Sequence, residues 1–153
     1  MSLRIPALAF LVALSLSMTS GQSIAEESPA ANTFRDAQLK WGPCPAFMPK
    51  GCEIAVLHGD PASDNADVFF KIPANAKIPA HAHTSAERMV LVSGELQVIY
   101  DGQKPVTLKP GMYAYGPPKL AHEASCAKAE ACILFIAFNS PIDAYETALG
   151  KHE

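Results

Sequence analysis

The chain has 153 residues, 49% of them hydrophobic and 18% charged, with a formal net charge of −3 at neutral pH. That length holds one domain with a substantial core, and not two. The acidic balance, with no Lys/Arg cluster and no basic amphipathic stretch, excludes nucleic acid as a partner and gives an anionic membrane surface nothing to hold.

Part of the apolar content sits at the start. Arg4 precedes an apolar run over residues 5–16, and small and polar residues follow, with Ser23 and Ala25 at −3 and −1 of a cleavage site before Glu26. This is the pattern of a secretory signal peptide over residues 1–25, and its run is shorter than the roughly 20 apolar residues of a membrane span. The expected product is periplasmic or secreted and free of the membrane after cleavage, with no cysteine near the site to carry a lipid. It would keep 11 basic against 15 acidic residues, a charge of −4 with histidines neutral.

Residues 26–50 read as an N-terminal extension. Residues 26–32 are small, polar and acidic; residues 34–41 space Phe34, Ala37 and Trp41 as a weak helix, which Gly42-Pro43-Cys44-Pro45 ends. Trp41 is expected to plug one end of the domain at residues 51–153. From residue 51 the period changes from helix to strand. Segments rich in Val, Ile and Phe fall at 52–57 and 67–72, a histidine-bearing strand follows the turn at 73–76, and further strands fall at 88–92, 95–100, 106–108, 112–115, 120–126 and 132–138. Gly, Pro and Asp between them make this an all-β antiparallel sandwich or barrel of about nine strands. Residues 142–149 are expected to close the chain as a short helix, started by Asn139-Ser140-Pro141 and stopped by Gly150.

Cys44, Cys52, Cys126 and Cys132 are an even number of cysteines, in a compartment where disulfides persist. Three pairings are open. The most local, Cys44 with Cys52 and Cys126 with Cys132, is preferred because each pair brackets a short turn-like segment; free buried thiols are the alternative. Neither pair has the two-residue spacing typical of a tetrathiolate zinc site.

Chemistry concentrates at His81, His83, Glu87 and His122. In an extended segment side chains alternate, so His81 and His83 point the same way about 6 to 7 Å apart, with Pro79 on their face. That suits two ligands on one metal; Glu87 adds a carboxylate, and His122 adds a third imidazole once a barrel brings its strand alongside. This set suits Fe, Mn, Ni, Cu or Zn more than a soft ion, and leaves about two positions of an octahedron open. Tyr113 and Tyr115 share a face of their strand and are, with Glu87, the candidates for catalytic contact with a substrate oxygen; two half-buried sheet tyrosines are the plainer reading. Phe69, Met89, Leu91, Leu134 and Ile136 read as core, and His58 and His152 as solvated. Lys119 stands at the rim, where a positive charge would favour an anionic substrate.

The pattern H-x-H-x-x-x-E at 81–87 followed by Gly94, and then Gly111, Pro117 and His122, resembles the two motifs of the cupins over most of the chain after about residue 50. The resemblance implies a small jelly-roll barrel, flanked here by the short helical segments read above at its N- and C-terminal ends, a metal held at the mouth by His81, His83, Glu87 and His122, and pairing of two copies through their sheets. Asn75 stands where the family has glycine, and Asn tolerates a left-handed turn; Lys119 and Cys126 replace the glycine and asparagine of the second motif. These departures leave subfamily and substrate open. The functional expectation is an exported metal-dependent enzyme, of oxygenase or isomerase type, on a small organic substrate. The alternatives are a module that binds or senses a small molecule or metal without chemistry, and a structural metal in an assembly part. Cupin regulators that hold sigma factors are set aside, since an exported chain does not meet them.

Overall fold

The computed structural model describes residues 28–150; the expected signal peptide at residues 1–25, and His152, lie outside them. The described chain is all-β, with strands β1 (Trp41–Pro43), β2 (Glu53–His58), β3 (Asp67–Ile72), β4 (Lys77–Ala82), β5 (Glu87–Ser93), β6 (Leu96–Tyr100), β7 (Val106–Leu108), β8 (Tyr113–Gly116), β9 (His122–Cys126), β10 (Cys132–Phe138) and β11 (Tyr145–Glu146). They form two antiparallel sheets, one of six strands in the order β1-β2-β3-β10-β5-β8 and one of five in the order β11-β4-β9-β6-β7.

Period-two alternation decides which side chains meet. Val68, Phe70 and Ile72 point from β3 into the interior, where Phe70 lies opposite Leu134 and Val68 opposite Ile136 on β10. Met89 and Leu91 continue that face on β5, while Ile78, Leu96, Val98 and Leu108 answer from the five-stranded sheet. Each fully buried aliphatic side chain contributes about 1.5–3 kcal/mol by leaving water, so the two apolar faces hold the sheets together.

The other face of the six-stranded sheet carries a row in strict register, Trp41, Ala55, Phe69, Phe135, Val90 and Tyr113. Trp41 is therefore not a plug: β1 adds it to the sheet's outer face, where Lys71 Nζ lies 4.4 Å from its ring centre. Phe69 is buried, but on this outer face, and its neighbour Phe70 is the one that fills the interior.

Neither expected helix forms; there is no helix among the described residues, hence none long and apolar enough to cross a membrane. Residues 34–41 offer too few apolar positions for a buried helical face; Asp36 N donates to Thr33 O at 3.0 Å in a turn, and Trp41 already belongs to β1. Residues 142–149 run extended because they have backbone partners to reach: Ile142 N donates to Pro61 O at 2.8 Å, Tyr145 pairs with Ala82, and Thr147 N donates to Ala80 O at 3.1 Å. A helix of so few residues is marginal alone, and the sheet edge outcompetes it.

Both local disulfides are present, Cys44–Cys52 and Cys126–Cys132. The second ties the end of β9 to the start of β10, hence one sheet to the other. Gly94 serves this corner: its φ is +85°, and a Cβ there would meet Ala131 O at 2.8 Å and Cys132 Cα at 2.9 Å.

Candidate metal centre

The site lies where the end of β4, the start of β9 and the end of β6 face the start of β5. Ile78 pairs with Ala124 and His81 with His122, so β4 spends one more residue than β9 between these pairs. This bulge resets the alternation. Ile78 and His81 both point inward although three residues apart, and Pro79 is exposed and not on the histidine face. His81, His122 and Tyr100 then occupy directly opposed positions across β4, β9 and β6. From the other sheet Glu87 faces inward, opposite Gly116 and Phe138. His83 lies just beyond β4, in the turn, where Lys119 N donates to its carbonyl at 2.8 Å. Lys119 takes the left-handed conformation at φ 63°, as does Asn75 at 62°, so both occupy the backbone state for which glycine is the easiest residue.

His81, His83 and His122 are all buried, and each offers a ligand nitrogen within 4.8 Å of the others. Glu87, 3% exposed, lies beside them, with Oε1 3.3 Å from His83 Nε2 and Oε2 3.5 Å from His122 Nε2. Every imidazole is anchored through its outer nitrogen to a carbonyl: His81 Nδ1 to Pro79 O at 2.8 Å, His83 Nδ1 to Asp143 O at 2.5 Å, and His122 Nδ1 to Leu120 O at 3.1 Å. A carbonyl oxygen only accepts, so each Nδ1 carries the proton and each Nε2 keeps a free lone pair. Burial, and then repulsion from His122, push His81 down to about 3, and burial holds His122 below its ordinary value. At neutral pH both rings are thus the neutral form that a metal requires.

His83 Nε2 and Glu87 Oε2 are buried without a hydrogen-bond partner among the described residues. An unpaired buried polar atom costs about 1–3 kcal/mol, and more for a charged one. A divalent cation would satisfy both, so the residues fit the metal that the motif implies. His81, His83, His122 and Glu87 are placed to hold it; nitrogen and oxygen donors suit Fe, Mn, Ni, Cu or Zn.

Tyr113 and Tyr115 stand apart from this group, 59% and 51% exposed. Their strand presents Ala114 and Gly116 to Met89 and Glu87, which leaves both tyrosines on the outer face opposite Val90 and Arg88. The phenol of the site is Tyr100. Its ring lies 5.2 Å from that of His122, its hydroxyl is buried without a partner among the described residues, and burial and the Glu87 carboxylate raise its pKa. Alternation from Leu96 through Val98 would have pointed to it. Asp143 was also unforeseen: beyond its carbonyl, its carboxylate accepts from Thr84 N at 2.8 Å and Thr84 Oγ1 at 2.5 Å. Beneath His81 and His122 an apolar cavity of about 30 Å³ is lined by Phe70, Met89, Leu134 and Ile136, the volume of one water. That cavity is too small for an organic ligand, which would meet the histidines from the mouth.

The family model described as the ChrR cupin-like domain matches residues 30–141. No curated protein matches the chain. Among solved structures it is similar to the DMSP lyase DddQ of Ruegeria pomeroyi DSS-3, at 17% identity and a TM-score of 0.62, over 74% of this chain and 64% of the lyase. It thus spans less than two thirds of the lyase's length. It is similar to the polyketide cyclase RemF of Streptomyces resistomycificus at 14% identity and a TM-score of 0.65, over 80% of this chain and 89% of the cyclase. An RmlC-like cupin from Shewanella frigidimarina NCIMB 400 aligns at 24% identity and a TM-score of 0.57, over 73% of this chain and 93% of that one. At such identities the likeness is one of fold alone.

Proposed function

This chain belongs to the family of ChrR cupin-like domains, and from that premise we propose that it is an exported metal-dependent enzyme, of oxygenase or isomerase type, acting on a small organic substrate at the barrel mouth. One observation carries the reading: three imidazoles locked as Nδ1–H tautomers, with ligand nitrogens within 4.8 Å of one another, beside a buried carboxylate. The metal, when bound, supplies Lewis acidity to an oxygen of the substrate. The carbonyls of Pro79, Asp143 and Leu120 fix the three rings. Glu87 offsets positive charge, and its Oε2 is placed to accept a proton. Phe138, with its ring 5.8 Å from that of His83, and Phe47, 6.2 Å from His81, shield the rings from water. Export is supported by the two disulfides and by the leader pattern of residues 1–25. The likeness to a lyase and a cyclase supports chemistry at such a fold without fixing the substrate.

A second reading is a binding or sensing module without turnover, which the same three imidazoles and buried carboxylate would serve by holding a metal or a small ligand at the mouth. Metal analysis of the protein, purified without chelator from its own compartment, separates these readings. Near-stoichiometric iron, manganese, copper or nickel in the wild type and none in His81→Ala/His83→Ala, with oxygen uptake on adding small phenols or diketones, supports the oxygenase; a metal-bearing protein that isomerises a small carbonyl compound without oxygen supports the other enzyme type. Tight retention of a small molecule without turnover supports the module. Metal-free folded protein in both preparations would sink the metal site.

A further inference from the structure

Leu96 and Val98 point inward from β6, and Tyr100 ends that row at the open end, opposite His122. Its buried hydroxyl has no hydrogen-bond partner among the described residues. On the facing sheet stands Gly116, opposite Glu87. A Cβ there would come within 3.1 Å of Glu87 Oε2 and 3.4 Å of Tyr100 Oη. Gly116 does not have the positive φ that would demand glycine of the backbone. What its missing side chain provides is room in front of two oxygens. Of the groups around that room, Glu87 and the histidine Nε2 atoms can only accept; the Tyr100 O–H is the donor. An acceptor oxygen entering there therefore finds its donor in Tyr100.

We propose that Tyr100 and Gly116 form a subsite for one acceptor oxygen of a small ligand, a carboxylate or carbonyl, with Tyr100 selecting the oxygen by donating its hydroxyl proton to it and Gly116 giving it access. This rests on the metal-site reading above. Tyr100 is a specificity-determining residue, and the small ligands it favours are those that present oxygen and not nitrogen beside Glu87.

The test loads the full chain with Co²⁺ and titrates it with acetate and, separately, with imidazole, which offers the ion a nitrogen and Tyr100 no acceptor oxygen. The readout is the visible absorption of cobalt. Tyr100→Phe should keep cobalt stoichiometry and melting temperature, lose acetate affinity about 5- to 30-fold, the loss of one hydrogen bond, and hold imidazole within about twofold. Gly116→Ala should weaken both ligands, because it narrows the access itself. Unchanged acetate affinity in Tyr100→Phe, an equal loss of both ligands, or no acetate response in cobalt-loaded wild type overturns the subsite and leaves the metal site standing. Failure of the wild type to take up cobalt overturns both.

Discussion

The carbonyl oxygen of Asp143 lies 2.5 Å from Nδ1 of His83, across 60 residues of sequence. The segment after β10 thus acts as a strap over the metal-binding turn. Its carboxylate grips Thr84 through the backbone N–H and the hydroxyl, and beyond it Tyr145 and Glu146 pair with Ala82 and His81. A segment far from the motif therefore orients one of the ligands in it.

Asp143→Ala should leave the barrel folded and lower metal affinity by up to roughly 10-fold, the low end of what losing the support behind a ligating histidine costs, because the carbonyl stays but loses its tether to Thr84. Competition against a chelator of known affinity measures it. An affinity within about twofold of wild type would show that β11 alone holds the carbonyl in place and that the carboxylate is dispensable.

How far the sequence reveals this is uneven, for physical reasons. Residues 67–72, 106–108 and 132–138 coincide with strands because dense Val, Ile, Leu and Phe leave little choice of conformation. His81, His83, Glu87 and His122 were legible as a spacing, and the barrel does bring them together. Alternation says which residues share a face but not which face is inside; hence Tyr113 and Tyr115 are legible as sharing a face, while only the pairing of β8 with β5 shows that this face is the outer one. The bulge between Ile78 and His81 has no local signature, since it answers the register of β9. The strand at Tyr145–Glu146 owes its conformation to β4, so a short apolar run before Gly150 read as a helix.

Metal removal should be visible as lost stability. The buried His83 Nε2 and Glu87 Oε2 lack hydrogen-bond partners among the described residues, and an ion satisfies both only in the folded chain. At a free metal concentration 100 times the Kd, the stabilisation is about 2.7 kcal/mol, which for a domain of this size raises Tm by roughly 10 °C. Thermal melts with a fitting divalent metal and with chelator should differ by that amount. Coincident melts in wild type at that metal excess would mean that the ion has no preference for the folded chain, and the cluster would not be a metal site.

Acid should destabilise the metal-free protein through His81. Its pKa is about 3 in the fold against an ordinary 6.5 for histidine. Between those values the unfolded chain binds a proton that the folded chain does not, so stability rises with pH across that window. The contribution is complete above about pH 7 and is lost progressively as pH falls below 6.5 towards 3; His122, also lowered, acts in the same direction. Melts of chelated wild type and His81→Asn across this range isolate the effect. Their difference should be flat above pH 7, with wild type falling behind the variant below about pH 6. Parallel curves throughout would mean that His81 titrates in the fold as it does in the open chain.

The Cys126–Cys132 bridge should matter for stability and not for the site. It closes a separation of only 6 residues, so loop-closure entropy gives about 2 kcal/mol, a small value for a disulfide. It nevertheless joins strands of opposite sheets, at the end of β9 remote from His122, and Gly94 can pack against it only because it lacks a Cβ. Cys126→Ser/Cys132→Ser should therefore lower Tm by about 5–10 °C while metal affinity stays within about twofold. Loss of metal affinity in the folded variant would mean that the spacing between the sheets, on which the approach of Glu87 to His122 depends, is set at this distant corner and not by the core side chains between them.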